Sequence, residues 1–185
     1  MNELYIDKFC HFGKKINVAA VYPNSYKFGI SNLGHQIFYR LLNQTRDINC
    51  ERFYLDSAVQ TNLTSLETSK KLQNFDVLAF SVCYELDIYN IAGLLKKYGW
   101  LDSVITKKKA NRPLIICGGA FIFINPEIFD KYSDFTICGD FENIAESFEE
   151  FLNNAVQSDN FENLKNDYTF IYKKKKIILN SNAQL

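Results

Sequence analysis

The sequence predicts an α/β domain built on a doubly wound, five-stranded parallel sheet, and three observations carry that prediction. Five short apolar runs alternate with segments whose apolar residues recur at helical spacing. No two-residue turn signal joins neighbouring runs as a hairpin, so successive strands must be linked by crossovers. Right-handed crossovers then place helices on both faces of the sheet. The chain has 185 residues, enough for one core of ordinary size. Five βα units in about 150 residues suit the flavodoxin-like strand order 2-1-3-4-5 better than a six-stranded dinucleotide fold. The expected domain covers residues 14–155. Residues 156–185 are read as a lysine-rich extension or linker, with a short hairpin possible over Tyr168 to Leu179.

Ile16 to Tyr22 (INVAAVY) is rich in β-branched residues and stopped by Pro23, as a buried strand should be. Pro23 to Asn32 reads as a polar, Gly-punctuated loop with Tyr22, Tyr26 and Phe28 as apolar anchors. Ser31 or Asn32 can cap a helix over Leu33 to Leu42, whose apolar residues are Leu33, Ile37, Phe38 and Leu41. Cys50 to Leu55 is a weaker strand, expected near an edge. Asp56 to Asn74 is polar and reads as a loop with a short helix. Phe75 to Val82 is a strong buried strand, followed by a helix from about Leu86 to Tyr98 that Gly99 ends. Trp100 to Asn111, with Lys107, Lys108 and Lys109, reads as an exposed connector. Pro113 to Cys117 is the fourth strand. Asn125-Pro126 then opens a short helix, because Pro at the first helical position lacks only an N–H that would be unpaired anyway. Phe135 to Cys138 is the fifth strand, and Glu142 to Asn153 an amphipathic helix with Ile144, Phe148, Phe151 and Leu152 inward.

Lys plus Arg and Asp plus Glu each number 21, so no net field draws nucleic acid or an anionic membrane to the chain. No apolar run reaches the roughly 18 residues of a membrane span, and Met1 to Lys8 lack a signal-peptide core. A cytoplasmic location is the expectation, with neither membrane nor nucleic acid as partner. The five cysteines form no CxxC pair, so neither a disulfide framework nor a zinc knuckle is indicated. Three of them lie in buried-strand runs, where Cys serves as a small hydrophobe. His11 precedes the first strand and His35 lies inside the first helix, where a structural role is expected.

In doubly wound sheets, ligands bind outside the carboxyl ends of the strands, at the switch between strands 1 and 3. That edge receives Asn24, Tyr26 and Gly29 after strand 1, and Ser81, Tyr84 and Glu85 after strand 3. It also receives Gly118 and Gly119 after strand 4, and Gly139 and Asp140 after strand 5. Small residues at several strand ends let a large flat ligand approach the backbone. Glu85 and Glu142 can either cap helices or do chemistry. There is no GxxxxGK[ST] and no GxGxxG after strand 1, which removes nucleotide triphosphates and dinucleotides. No catalytic triad or metal cluster can be assembled.

The segments VYPNSYKFGISNLGHQIFYRLLN, LETSKKLQNFDVLAFSVCYEL and LIICGGAFIFINPEIFDKYSDFTICGDFE resemble, in order and spacing, the N-terminal domain of B12-binding-domain radical SAM proteins of unassigned substrate. The match runs over about residues 16 to 152, and its Y-x-x-G-x-S-N-L-G and S-x-x-Y-E-L pieces are the specific ones. The resemblance implies a cobalamin-binding-like module in which Asn24, Tyr26 and Gly29 lie below a corrin. Ser81, Gly118 and Gly119 would line the groove for its nucleotide tail, and Gly139, Asp140 and Glu142 would close the side.

In the related cobalt-ligating module, D-x-H-x-x-G follows strand 1. Here that spacing reads Asn24-x-Tyr26-x-x-Gly29. A neutral phenol is a poor cobalt ligand beside an imidazole, so cobalamin is expected base-off with no His ligand. Phe141 stands where other members carry Gly, and its volume would obstruct the corrin edge. The chain has no CxxxCxxC, the motif that would hold the [4Fe–4S] cluster cleaving S-adenosylmethionine. Radical chemistry is therefore expected only through a radical SAM catalytic domain in cis or trans. The chain would be a fragment cut before that domain or a stand-alone relative that lost it. The competing reading is a non-enzymatic interaction domain of the same fold. A methylthiotransferase-like domain using Cys10, Cys50 and Cys83 is disfavoured, because Cys10 precedes strand 1.

Overall fold

The computed structural model describes residue 13 and residues 15–55, 63–108, 111–158 and 161–173. Its strands are β1 (Ile16–Tyr22), β2 (Ile48–Tyr54), β3 (Val77–Ser81), β4 (Leu114–Gly118) and β5 (Phe135–Thr136). They form one sheet in the order β2-β1-β3-β4-β5, and each neighbouring pair is parallel. The predicted architecture and strand order are thus the observed ones. The helices are α1 (Tyr26–Ile30), α2 (Leu33–Gln44), α3 (Asp87–Lys97), α4 (Leu101–Ile105), α5 (Pro126–Asp130), α6 (Phe141–Gln157) and α7 (Phe161–Asp167).

Strand alternation divides the core between two faces. Val18, Ala20, Val77, Ile116 and Phe135 pack with Leu42 of α2 and Phe148, Phe151 and Leu152 of α6. Ala19, Val21, Leu78, Phe80 and Ile115 pack with Ile91 and Leu95 of α3, Val104 of α4 and Phe129 of α5. Because central parallel strands are covered on both sides, they read in the sequence as continuous apolar runs.

Both sheet edges are covered. Although β2 lies at an edge, every one of its residues is buried. The segment after residue 62 explains this: Leu66 N–H donates to Arg52 O, and Thr68 Oγ1 donates to Glu51 Oε2 at 2.6 Å. Arg52 Nε pairs with Glu67 Oε1 at 2.7 Å, both side chains 4% exposed. At the other edge, Tyr172 N–H donates to Thr136 O and Cys138 N–H to Phe170 O, which lays that segment antiparallel against β5. Residues 174–179 of the expected hairpin, and Cys10 and His11, lie outside the described residues.

Three local expectations are corrected. The Pro23–Asn32 loop contains α1, anchored where Asn90 Nδ2 donates to Pro23 O at 2.8 Å. The connector after Trp100 contains α4, whose Val104 is fully buried, and Lys107 donates to the carbonyl oxygens of Asp130 and Ser133. The inward face of α2 is His35, Tyr39, Leu42 and Asn43, while Leu33 is 73% exposed. Asn43 is buried at low cost because its amide donates to Tyr39 O and Cys50 O and accepts from Cys50 N–H. No helix among the described residues is long and apolar enough to cross a membrane.

Candidate functional site

A cavity of about 430 Å³ opens at the carboxyl ends of β3, β4 and β5, under the first turns of α2 and α6. That volume falls in the range of small-molecule sites, roughly 300–1,000 Å³. Its floor is Ala79, Ser81, Ile116 and Gly118. Its walls include Leu33, His35 and Phe38 from α2, Phe123 after β4, and Phe141 and Phe148 from α6.

The cavity is displaced from the expected switch between β1 and β3. Tyr22 and Tyr54, paired across β1 and β2, occupy the sheet end there. Tyr26 packs edge-on against Tyr54, with ring centroids 5.1 Å apart. Gly29 fits into this cluster only because it lacks a side chain: a Cβ would lie 2.4 Å from Tyr54 Cε1 and 2.8 Å from Tyr22 Cγ.

Of the residues singled out in the sequence, Ser81, Gly118, Gly119, Gly139, Asp140 and Glu142 meet on the cavity. Asn24, Tyr26, Gly29, Tyr84 and Glu85 are not among its lining residues. Asn24 Oδ1 accepts the Ser25 N–H at 2.8 Å, turning the chain into α1. Closing the loop after β3 falls to Asp87, whose Oδ2 accepts from Cys83 N–H at 3.1 Å and Tyr84 N–H at 3.0 Å. Burial pushes the Asp87 carboxyl pKa up, and these two N–H groups pull against that. Glu85 is exposed, with Tyr84 and Leu86 beside it.

Sequence reasoning missed Asn32, His35 and Cys83 as lining residues. Asn32 caps α2: its Oδ1 accepts the His35 N–H at 2.9 Å, and its Nδ2 donates to Cys83 Sγ at 3.2 Å. One side chain therefore joins the first turn of α2 to the loop after β3. His35 is 1% exposed, and its Nδ1 lies 2.8 Å from Ser81 Oγ. Burial, aided by the charge of Arg52, lowers the imidazole pKa from 6.5 to about 3. His35 is therefore neutral at physiological pH, and one ring nitrogen bears the proton. The cap signal at Asn32, three residues ahead, was the available clue that His35 sits on an anchored turn. Burial likewise raises the Cys83 pKa and keeps the thiol protonated.

Phe141 does not close the cavity. Its ring packs against Phe38 with centroids 4.6 Å apart and against Phe148 at 5.1 Å, and it forms one wall. Gly119 has a different constraint from ligand approach. With φ +117, its Cβ would fall 2.5 Å from Val82 O and 2.8 Å from Val82 N, so glycine is required where the β3 and β4 ends touch. Among the described residues no group of three or more His, Cys, Asp or Glu side chains could hold a metal ion.

A doubly wound parallel sheet with a cavity at its carboxyl edge, aromatic-walled and rimmed by small residues, defines a flavodoxin-like α/β domain. The chain belongs to the family described as radical SAM proteins, N-terminal, which matches residues 34–172. It is also similar to an uncharacterized protein of Methanocaldococcus jannaschii, 26% identical over 126 residues that cover 68% of this chain and 24% of the relative. The chain thus spans about a quarter of the length of that curated relative.

Proposed function

We propose that this domain is the accessory module of a radical SAM enzyme and that its cavity receives the nucleotide tail of a base-off corrinoid. The observation that carries the reading is convergence: Ser81, Gly118, Gly119 and Gly139, from three different strand ends, border one cavity walled by Phe38, Phe123 and Phe141. A flat heteroaromatic base suits such walls, since stacked and edge-on ring contacts each add about 0.5–1.5 kcal/mol beyond burial. Ser81 and neutral His35 are the polar groups that would orient it. Asp140 and Glu142, at the start of α6, would flank the mouth.

The residues fit the tail of the group and supply no cobalt ligand. Tyr26 is packed on Tyr54, and His35 is 1% exposed in the cavity wall, its Nδ1 on Ser81 and its Nε2 buried without a hydrogen-bond partner, so no imidazole is presented at the mouth by the described residues. Cobalamin held here would be base-off, without a protein nitrogen on the metal. Bound corrinoid would supply methyl-group transfer to the catalytic domain's radical chemistry. This chain's own residues bind the tail, keep water from it and set its depth. The [4Fe–4S] cluster and S-adenosylmethionine would belong to a catalytic domain in cis or trans, since the chain carries no CxxxCxxC.

A second reading, an interaction domain of the same fold without cofactor, is favoured by the packing role of Gly119. Titrating the purified chain with hydroxocobalamin separates the two. The expected result is a saturable shift of the absorption spectrum to the base-off form, with weaker binding by Phe141→Ala because that ring is a wall of the cavity. Absence of a shift in the wild type would overturn the corrinoid reading and leave the interaction domain.

A further inference from the structure

The edge onto which the cavity opens carries seven exposed large hydrophobic side chains. Phe28 of α1 and Leu33 at the start of α2 are exposed on it. Tyr84, Leu86 and Tyr89 follow β3, and Phe123 and Ile124 follow β4, the last 75% exposed. Elsewhere among the described residues the exposed large hydrophobics are Leu66 and Ile105, at 40% and 38%. Single exposed apolar side chains are ordinary on a soluble protein. Their concentration on one edge marks an interaction surface.

We propose that this rim is the docking face for the CxxxCxxC-bearing catalytic domain, a partner presenting an apolar collar edged with Lys or Arg. The inference rests on the accessory-domain reading and adds which surface makes the contact. Leu33 and Phe123 belong both to the rim and to the cavity wall, so whatever covers the rim also closes the cavity. The rim is locally acidic: Glu85, Asp140 and Glu142 are exposed there against Lys27, on a chain whose formal net charge is +0. That asymmetry argues against a second copy as occupant, because a two-fold contact through the rim would set one acidic surface against another. It favours a basic-edged partner, which complementary charge would also steer to the site. The family is described as N-terminal, and the relative is about four times as long as the matched segment, which is why the further part of such a protein is the occupant proposed.

The test mixes the full chain with a separately expressed CxxxCxxC-bearing radical SAM domain from the same genome and measures Kd by sedimentation. Leu86→Ala/Tyr89→Ala should weaken binding about tenfold or more, as loss of aromatic anchors does. Ile105→Ala, on a different face, should change it less than about twofold. Raising the salt should weaken the wild-type complex. If the wild type binds and the rim double variant binds equally well, the rim is not the docking face, while the accessory-domain reading stands. If the wild type binds no such domain, both fall. If the chain instead forms a dimer that the rim variant abolishes, a second copy is the occupant and the proposal is overturned. Circular dichroism of the variants, whose changes lie on exposed side chains, controls for folding.

Discussion

Gly119→Ala is expected to destabilise the domain by about 3 kcal/mol or more, read as a drop in the urea midpoint. Two separate costs act there. At φ +117 and ψ 179 the backbone occupies a region that L-residues reach only with strain of about 1–3 kcal/mol. The added methyl would also meet Val82 O at 2.5 Å and Val82 N at 2.8 Å, both backbone atoms that cannot rotate away. Relieving that overlap means moving the end of β3 away from the end of β4, which breaks the 2.7 Å bond from Val82 N–H to Gly118 O. The same motion would reshape the cavity floor. Gly93→Ala is the control: Gly93 lies inside α3 with nothing within 4 Å of its Cβ position, so alanine should raise stability by about 0.5–1 kcal/mol. A Gly119→Ala protein within about 1 kcal/mol of wild type would contradict the backbone-contact explanation.

Arg112→Met should cost about 3–5 kcal/mol, because it leaves a carboxylate buried without its cation. Arg112 Nη1 and Nη2 grip Asp134 Oδ2 and Oδ1 at 2.6 and 2.8 Å, with side-chain exposures of 3% and 0%. Asp134 Oδ2 also accepts the Ile115 N–H at 2.8 Å, which ties the start of β4 to the residue just before β5. Asp134→Asn in the Arg112→Met background removes the stranded charge and keeps an acceptor for Ile115. The double variant should therefore be more stable than the sum of the single losses by about 2 kcal/mol. Strict additivity in chemical denaturation would show that the pair does not act as a unit.

These two sites also show what the sequence could and could not reveal. The sheet was legible because each central strand is covered on both faces, so INVAAVY, FDVLAFSV and PLIIC stand out as runs. The strand order followed from the count of βα units, five in about 150 residues, which suits the flavodoxin-like arrangement. Short elements were illegible for the opposite reason. Helices α1 and α4 have five residues each, too few to display a helical period. The face of α2 was misjudged because periodicity weighs Leu33 above His35 and Asn43. The fold buries those two through hydrogen bonds to Ser81 and Cys50, and a hydropathy pattern cannot register such pairing.

The candidate site was half legible. Small residues at strand ends marked Ser81, Gly118, Gly119 and Gly139, and all four border the cavity. The expected contribution of the loop after β1 did not reach it, because Tyr22, Tyr26 and Tyr54 fill that end of the sheet. Nothing local in the sequence announces a tyrosine cluster drawn from two strands and a helix. Phe141, read as an obstruction, is a wall supported by Phe38 from a helix more than a hundred residues away in sequence, again a contact that only the fold discloses.

The most direct test of the proposed role is a comparison of hydroxocobalamin with cobinamide, which keeps the corrin and lacks the nucleotide tail. Both are measured by equilibrium dialysis against the purified chain. If the cavity between α2, α6 and the ends of β3 to β5 receives the tail, hydroxocobalamin binds at least about tenfold more tightly, a difference of about 1.4 kcal/mol. Replacing Phe38 with Ala should erase most of that difference, since its ring is one of the cavity walls the tail would meet. Equal affinities for the two corrinoids, or binding of neither, would contradict the assignment of this cavity.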